Sequence, residues 1–194
     1  MSRRCGSVGL VSDALREIGM RKAFKFAVGQ LQNSLLRCGL TPPPLRRLLL
    51  CVFGAKIGRE TIIHACTFFN LYRRGLKGFA LGHHCFVAEE CLFDCADEIH
   101  CGDHVTLAER VTILTHTNVG FHSHPLQKDF PSMHAPVHIG SGCFIGTNAT
   151  ILPGVTLGER VMVGACSLVL EDVPAGDVVA GVPARSVRRE RDSH

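Results

Sequence analysis

Between residues 139 and 173 a branched aliphatic residue returns every six positions: Ile139-Gly140, Ile145-Gly146, Ile151, Leu157-Gly158, Val163-Gly164 and Val169. A second row lies four places further on and keeps the same period: Cys143, Ala149, Val155, Val161, Ser167 and Val173. A hexad of this kind is one short strand plus one corner, with a branched and a small side chain pointing inward. Glycine beside the aliphatic residue gives the backbone freedom at the corner. Three hexads close one triangular coil, and coils stack through parallel strand pairing. A single coil cannot bury its own apolar side, so stability comes from stacking and the ends of the stack need caps.

The period also runs upstream. Leu81-Gly82 and Val87-Ala88 open hexads whose fifth places are Cys85 and Cys91. Near Cys95 the register slips by two residues, then resumes at Cys101-Gly102 and Leu107-Ala108 with Val105 and Val111 in the fifth place. Ile57-Gly58 and Ile63 form a first, degenerate turn. The coil domain is therefore expected over residues 55–184. A leader, residues 1–54, precedes it, and a basic tail, residues 185–194, follows.

The leader has a helical pattern over residues 8–40, with Leu10, Ala14, Ile18, Ala23, Phe26, Ala27, Leu31 and Leu35 near a 3.6 period. Ser12 and Asp13 suit a helix entry, whereas Gly19 and Gly29 weaken a continuous helix. Pro42-Pro43-Pro44 ends this segment, and residues 45–53 read as a second short helix. Net charge is +4, but before residue 55 nine Lys/Arg face two Asp/Glu. Such a basic leader is a solvated helix face or meets an anionic surface. No apolar run reaches the ~18 residues that would span a bilayer. The ten cysteines follow no secretory signal, and several occupy inward repeat positions. They are expected as reduced core filler in a cytoplasmic protein.

Residues 114–136 break the period, and four of the 11 histidines fall there: His116, His122, His124 and His134. A long loop ejected from a solenoid tends to carry function, and imidazoles serve as general bases near neutral pH. Other clusters read as structural. Cys91, Cys95 and Cys101 lack the spacing of a metal knuckle, and His83 or His84 with His116 and His122 lacks that of a zinc enzyme. Asp94, Asp97 and Asp103 could line an acceptor site but are read as corner residues. Arg185, Arg188, Arg189 and Arg191 are interrupted by Glu190 and Asp192 without aromatic neighbours, so no nucleic-acid module is expected.

The stretch "VHIGSGCFIGTNATILPGVTLGERVMVGACSLVLEDVPAGDVVAGVPARSVRR", with "RVTILTHT" before the loop, resembles the bacterial hexapeptide acyltransferases over residues 45–190. The likeness is to the sugar O-acetyltransferases and to those of exopolysaccharide synthesis. The resemblance implies a mainly β fold, a left-handed parallel β-helix with an α-helical N-terminal segment and an extended loop. It implies transfer of an acetyl group from acetyl-CoA to a hydroxyl or amine of a saccharide-like acceptor, small or lipid-linked, in a direct ternary complex. His116 would be the general base, with Asn118 standing where many relatives carry a second His or an Asp, and His122 and His124 as runners-up. CoA would lie in a groove between subunits of a homotrimer, its pantetheine arm near Thr147 and Ala165 and a phosphate on Arg185. Leu170 and Glu171 replace a usual Thr and Lys, and Cys166 a usual Gly. No metal is implied. The basic leader would allow peripheral membrane contact. A non-catalytic coil scaffold and a γ-carbonic-anhydrase-like zinc enzyme are the alternative readings on the same fold.

Overall fold

The computed structural model describes residues 20–120 and 123–187. The helix-entry residues Ser12 and Asp13, His122, and the tail arginines Arg188, Arg189 and Arg191 lie outside the described residues. Three sheets of five, seven and five strands form the body, parallel throughout except for the last strand of the second. Successive strands pass from one sheet to the next and return to the first one coil later, so the chain winds as a three-sided parallel coil.

The inward rows become columns. Ile63, Val87, Leu107, Ile145, Val163 and Val179 pair down the second sheet. Phe68, Phe93, Ile113, Ile151 and Val169 pair down the third. All of these side chains are buried, each contributing ~1.5–3 kcal/mol of hydrophobic stabilisation. In the first sheet Phe79–Leu81, Ile99–Cys101 and Val137–Ile139 are three-residue strands with both end residues buried. That widening is the two-residue slip near Cys95: Ile99 and Cys101 both point inward. Phe68, Phe79 and Phe93 fill the broader coils, with ring centroids 4.9–5.2 Å apart.

The glycines beside the aliphatic rows serve close approach rather than left-handed geometry. A Cβ on Gly140 would lie 2.6 Å from the Glu159 nitrogen, and one on Gly58 would lie 2.3 Å from the Gly82 carbonyl carbon. The left-handed corner places are held instead by Glu60, His84, His104, Arg110, Asn148, Arg160 and Cys166. Every described cysteine is free. Burial raises the thiols of Cys95 and Cys101 well above their usual range. Nothing about their packing favours the thiolate.

The helix Met20–Arg37 runs unbroken through Gly29, against the expectation from sequence. A Cβ there would meet Leu71 Cβ at 3.0 Å, so the glycine lets the short helix Leu71–Arg74 press close. The second helix, Pro43–Val52, begins inside the proline run because a proline in the first turn forfeits no helical hydrogen bond. Buried Arg46 joins helices to coil: Nε donates to Leu36 O at 2.8 Å, Nη1 to Ile63 O at 3.0 Å and Nη2 to Cys38 O at 3.1 Å. At the other end Arg185–Ser186 folds back antiparallel on Val178–Ala180. Among the described residues no helix is long and apolar enough to cross a membrane.

Candidate active site

The period is broken just after Thr112–Ile113 in the third sheet. The departing His116–Thr117 pairs antiparallel with the returning Met133–His134, and Ala135 N donates to Thr115 O at 3.0 Å. The excursion is thus an arm with a closed base, and His116 sits on that base.

One coil earlier, Asp94 ends the strand Leu92–Asp94 and is completely buried. Its Oδ1 accepts from Asn70 Nδ2 at 2.7 Å and from Ala96 N at 3.2 Å. Its Oδ2 accepts from Thr115 N at 3.0 Å and pairs closely with His116 Nδ1. Thr115 Oγ1 donates to Asp94 O at 2.6 Å and accepts from Asp97 N at 2.9 Å, which locks the two coils together. Burial alone would raise the Asp94 carboxyl. The hydrogen bonds from Asn70, His116 and Thr115 outweigh it and hold the group below the usual carboxylate range. A buried, ionised Asp94 therefore fixes the proton of His116 on Nδ1 and leaves the Nε2 lone pair free. The His116 side chain remains 25% exposed, and Nε2 makes no hydrogen bond among the described residues. Phe69 packs edge-on to the ring at 6.4 Å, and His134 lies parallel to it at 6.0 Å and 14°.

Reading Asp94 as a corner residue was therefore wrong: it orients the histidine. The one available signal was the register slip at Cys95, beside the coil on which the arm is seated. Asn118 is not brought to His116; its Oδ1 accepts from Gly120 N at 3.0 Å within the arm. His124 accepts from Leu126 N at 3.2 Å and caps the turn Pro125–Gln127. His83 and His84 lie at the corner between the first and second sheets, where His83 Nδ1 accepts from Arg59 N at 3.0 Å and His84 stacks on His104 at 4.8 Å. Among the described residues no group of three His, Cys, Asp or Glu is placed to hold a metal.

Thr147 and exposed Ala165 stack on the corner between the second and third sheets, Cys166 N donating to Thr147 O at 2.8 Å. Thr147 Oγ1 donates to Glu109 Oε2 at 3.1 Å. Because Thr112 pairs with Thr150, Thr147 precedes the third sheet by three residues and His116 follows it by three. Within one chain the two stand at opposite edges of one face, on the order of 20 Å apart at ~3.3 Å per extended residue. Arg185 is exposed near the far end of the coil and turns Nη1 to Ala184 O at 2.9 Å.

A family described as bacterial transferase hexapeptide (six repeats) matches residues 136–171. A protein of Escherichia coli (strain K12) named as a colanic acid biosynthesis acetyltransferase, WcaF, is 32% identical over 143 residues, 74% of each chain. Galactoside O-acetyltransferase of the same organism is 41% identical over 95 residues, 48% of this chain and 46% of that one, so this chain spans about half its length. Among solved structures, a hexapeptide-repeat acetyltransferase from Vibrio cholerae O1 biovar eltor, complexed with acetyl-CoA, superposes with a TM-score of 0.72. It covers 88% of this chain and 89% of that one, at 24% identity. The chain belongs to the hexapeptide-repeat acetyltransferase family.

Proposed function

We propose that the protein transfers an acetyl group from acetyl-CoA to a hydroxyl (or amine) of a saccharide acceptor, with His116 as general base in a direct ternary complex. The observation that carries this reading is the pairing of buried, ionised Asp94 with Nδ1 of a partly exposed His116 at the base of the arm. In the reaction Nε2 takes the acceptor's proton as the acceptor oxygen attacks the thioester carbonyl carbon. Asp94 stabilises the imidazolium that forms. The tetrahedral intermediate expels the CoA thiolate, which recovers the proton from Nε2. General-base help of this kind is worth ~10²–10⁴-fold in rate, and alignment of the two substrates adds to it.

The coil is taken as left-handed and the assembly as a homotrimer. Thr147 and Ala165 stand at the edge opposite His116, so the pantetheine arm would lie along a neighbouring subunit's corner. Arg185 would then meet a CoA phosphate, a pairing suited to guanidinium. Leu170 and Glu171, both exposed, offer little there to a phosphate, which leaves Arg185 with more of that task. Acetyl-transfer activity is tested by release of the CoA thiol across a saccharide panel. The His116→Ala variant should lose at least ~10²-fold in kcat while still binding CoA. Undiminished turnover in that variant would remove His116 from the role.

A further inference from the structure

Beside the histidine pair a cleft of about 1360 Å³ opens between the start of the helix Met20–Arg37 and the short helix Leu71–Arg74. Among the described residues, Arg21, Lys22, Lys25, Arg73 and Arg74 line it, with Asp97 the one acidic lining residue. Asp97 is already engaged, since Arg74 Nη1 lies 3.3 Å from its carboxylate and 2.7 Å from that of Glu98. Arg21, Lys22 and Lys25 have no carboxylate partner among the described residues. Arg73 Nη1 lies 2.7 Å from His134 Nε2. Guanidinium can only donate, so Nε2 accepts and the His134 proton sits on Nδ1. Burial, then the charge of Arg73, lowers the His134 pKa and keeps the ring neutral. The Nδ1 atom is buried and unpaired, so the ring meets the cleft through its bond to Arg73.

A neutral sugar offers nothing to balance this set of cations, whereas phosphate oxygens supply both charge and several acceptors. We propose that this cleft is the acceptor's site and selects a saccharide joined to a phosphate or diphosphate group. The inference rests on the acetyl-transfer reading above. Arg73 is bonded to His134, whose ring lies 6.0 Å from that of His116, so an anion held against Arg73 sets the attached sugar's hydroxyls beside the base. Exposed Met20 and Phe24 form an apolar stretch of the same wall, against which the group beyond the phosphate would lie. A nucleoside diphosphate sugar and a lipid diphosphate sugar share this chemistry.

The test uses the full chain and calorimetric titration, with CoA binding measured first and CoA then kept saturating. Four probes carry the same sugar: methyl galactoside, galactose 1-phosphate, UDP-galactose and a short-chain polyprenyl diphosphate galactose. The phosphorylated probes should bind at least about tenfold more tightly than the methyl glycoside, less so as salt rises. The R21Q/K22Q/K25Q variant keeps good helix formers. It should lose about tenfold or more for those probes and nothing for CoA or the methyl glycoside. A nucleotide or lipid arm that binds tightest supports the proposal and names the source. Equal affinity for charged and neutral probes at every salt concentration, or a triple variant that binds phosphorylated probes unchanged, overturns it. Failure to bind CoA at all takes away the acetyl-transfer reading as well, so the two failures are distinguishable.

Discussion

A carboxylate with no exposed surface survives as an ion only if its oxygens are fully occupied. Asp94 meets that condition through Asn70, Ala96, Thr115 and His116. Asp94→Asn keeps the volume but replaces one acceptor oxygen with an amide donor, which faces a ring nitrogen that is itself protonated. The imidazole is then pushed toward the other tautomer. Acetyl transfer should fall ~10²–10⁴-fold in kcat with the KM for acetyl-CoA little changed, as steady-state kinetics would show. The pH dependence of stability follows from the same bonds. The folded-state pKa of Asp94 is depressed below the ordinary 3.8. Its contribution is complete above that ordinary value and lost as pH falls through the lowered one. Acid unfolding of Asp94→Asn should therefore be shallower than that of the wild type in this window. His116 could be read from the sequence because it interrupts a period. Asp94 was marked only by the neighbouring register slip, because the two lie 22 residues apart in sequence and meet only through the rise of one coil.

At the scale of elements, the six-residue period dictated nearly all of the coil, since each inward side chain reports its own strand. The helices were less legible. Gly29 argued for a break, yet its purpose is to admit Leu71, a contact that local pattern cannot announce. The corner glycines were legible in position but not in reason. Gly140→Ala should cost about 1–3 kcal/mol, because its Cβ meets backbone at 2.6 Å that cannot swing aside. Gly39→Ala, with nothing within 4 Å of the new atom, should stay within about 0.5 kcal/mol. Arg46 is the bolt between helices and coil. Arg46→Met fills some of its space but takes the donor from the carbonyls of Leu36 and Ile63, while that of Cys38 keeps Thr41 N. A loss of about 2–4 kcal/mol is expected, read from urea unfolding at one fixed protein concentration so that any assembly contributes equally.

At the scale of the whole molecule, the question is whether one chain can carry out the reaction alone. The third sheet separates His116 from the Thr147–Ala165 corner by the full width of a face. If CoA follows that corner, the thioester must meet a histidine from another copy, and closed cyclic symmetry then makes every seam alike. Two variants that are each inactive for different reasons decide the matter. His116→Ala lacks the base, and Ala165→Trp obstructs the pantetheine arm. Unfolded together in equal amounts and refolded, they should form seams in which one chain supplies an intact His116 and its neighbour an intact Ala165. Random mixing makes about a quarter of seams complete, so about a quarter of wild-type activity should return. If base and coenzyme site belonged to the same chain, every site would carry one defect or the other, and activity would stay at the level of the separate variants.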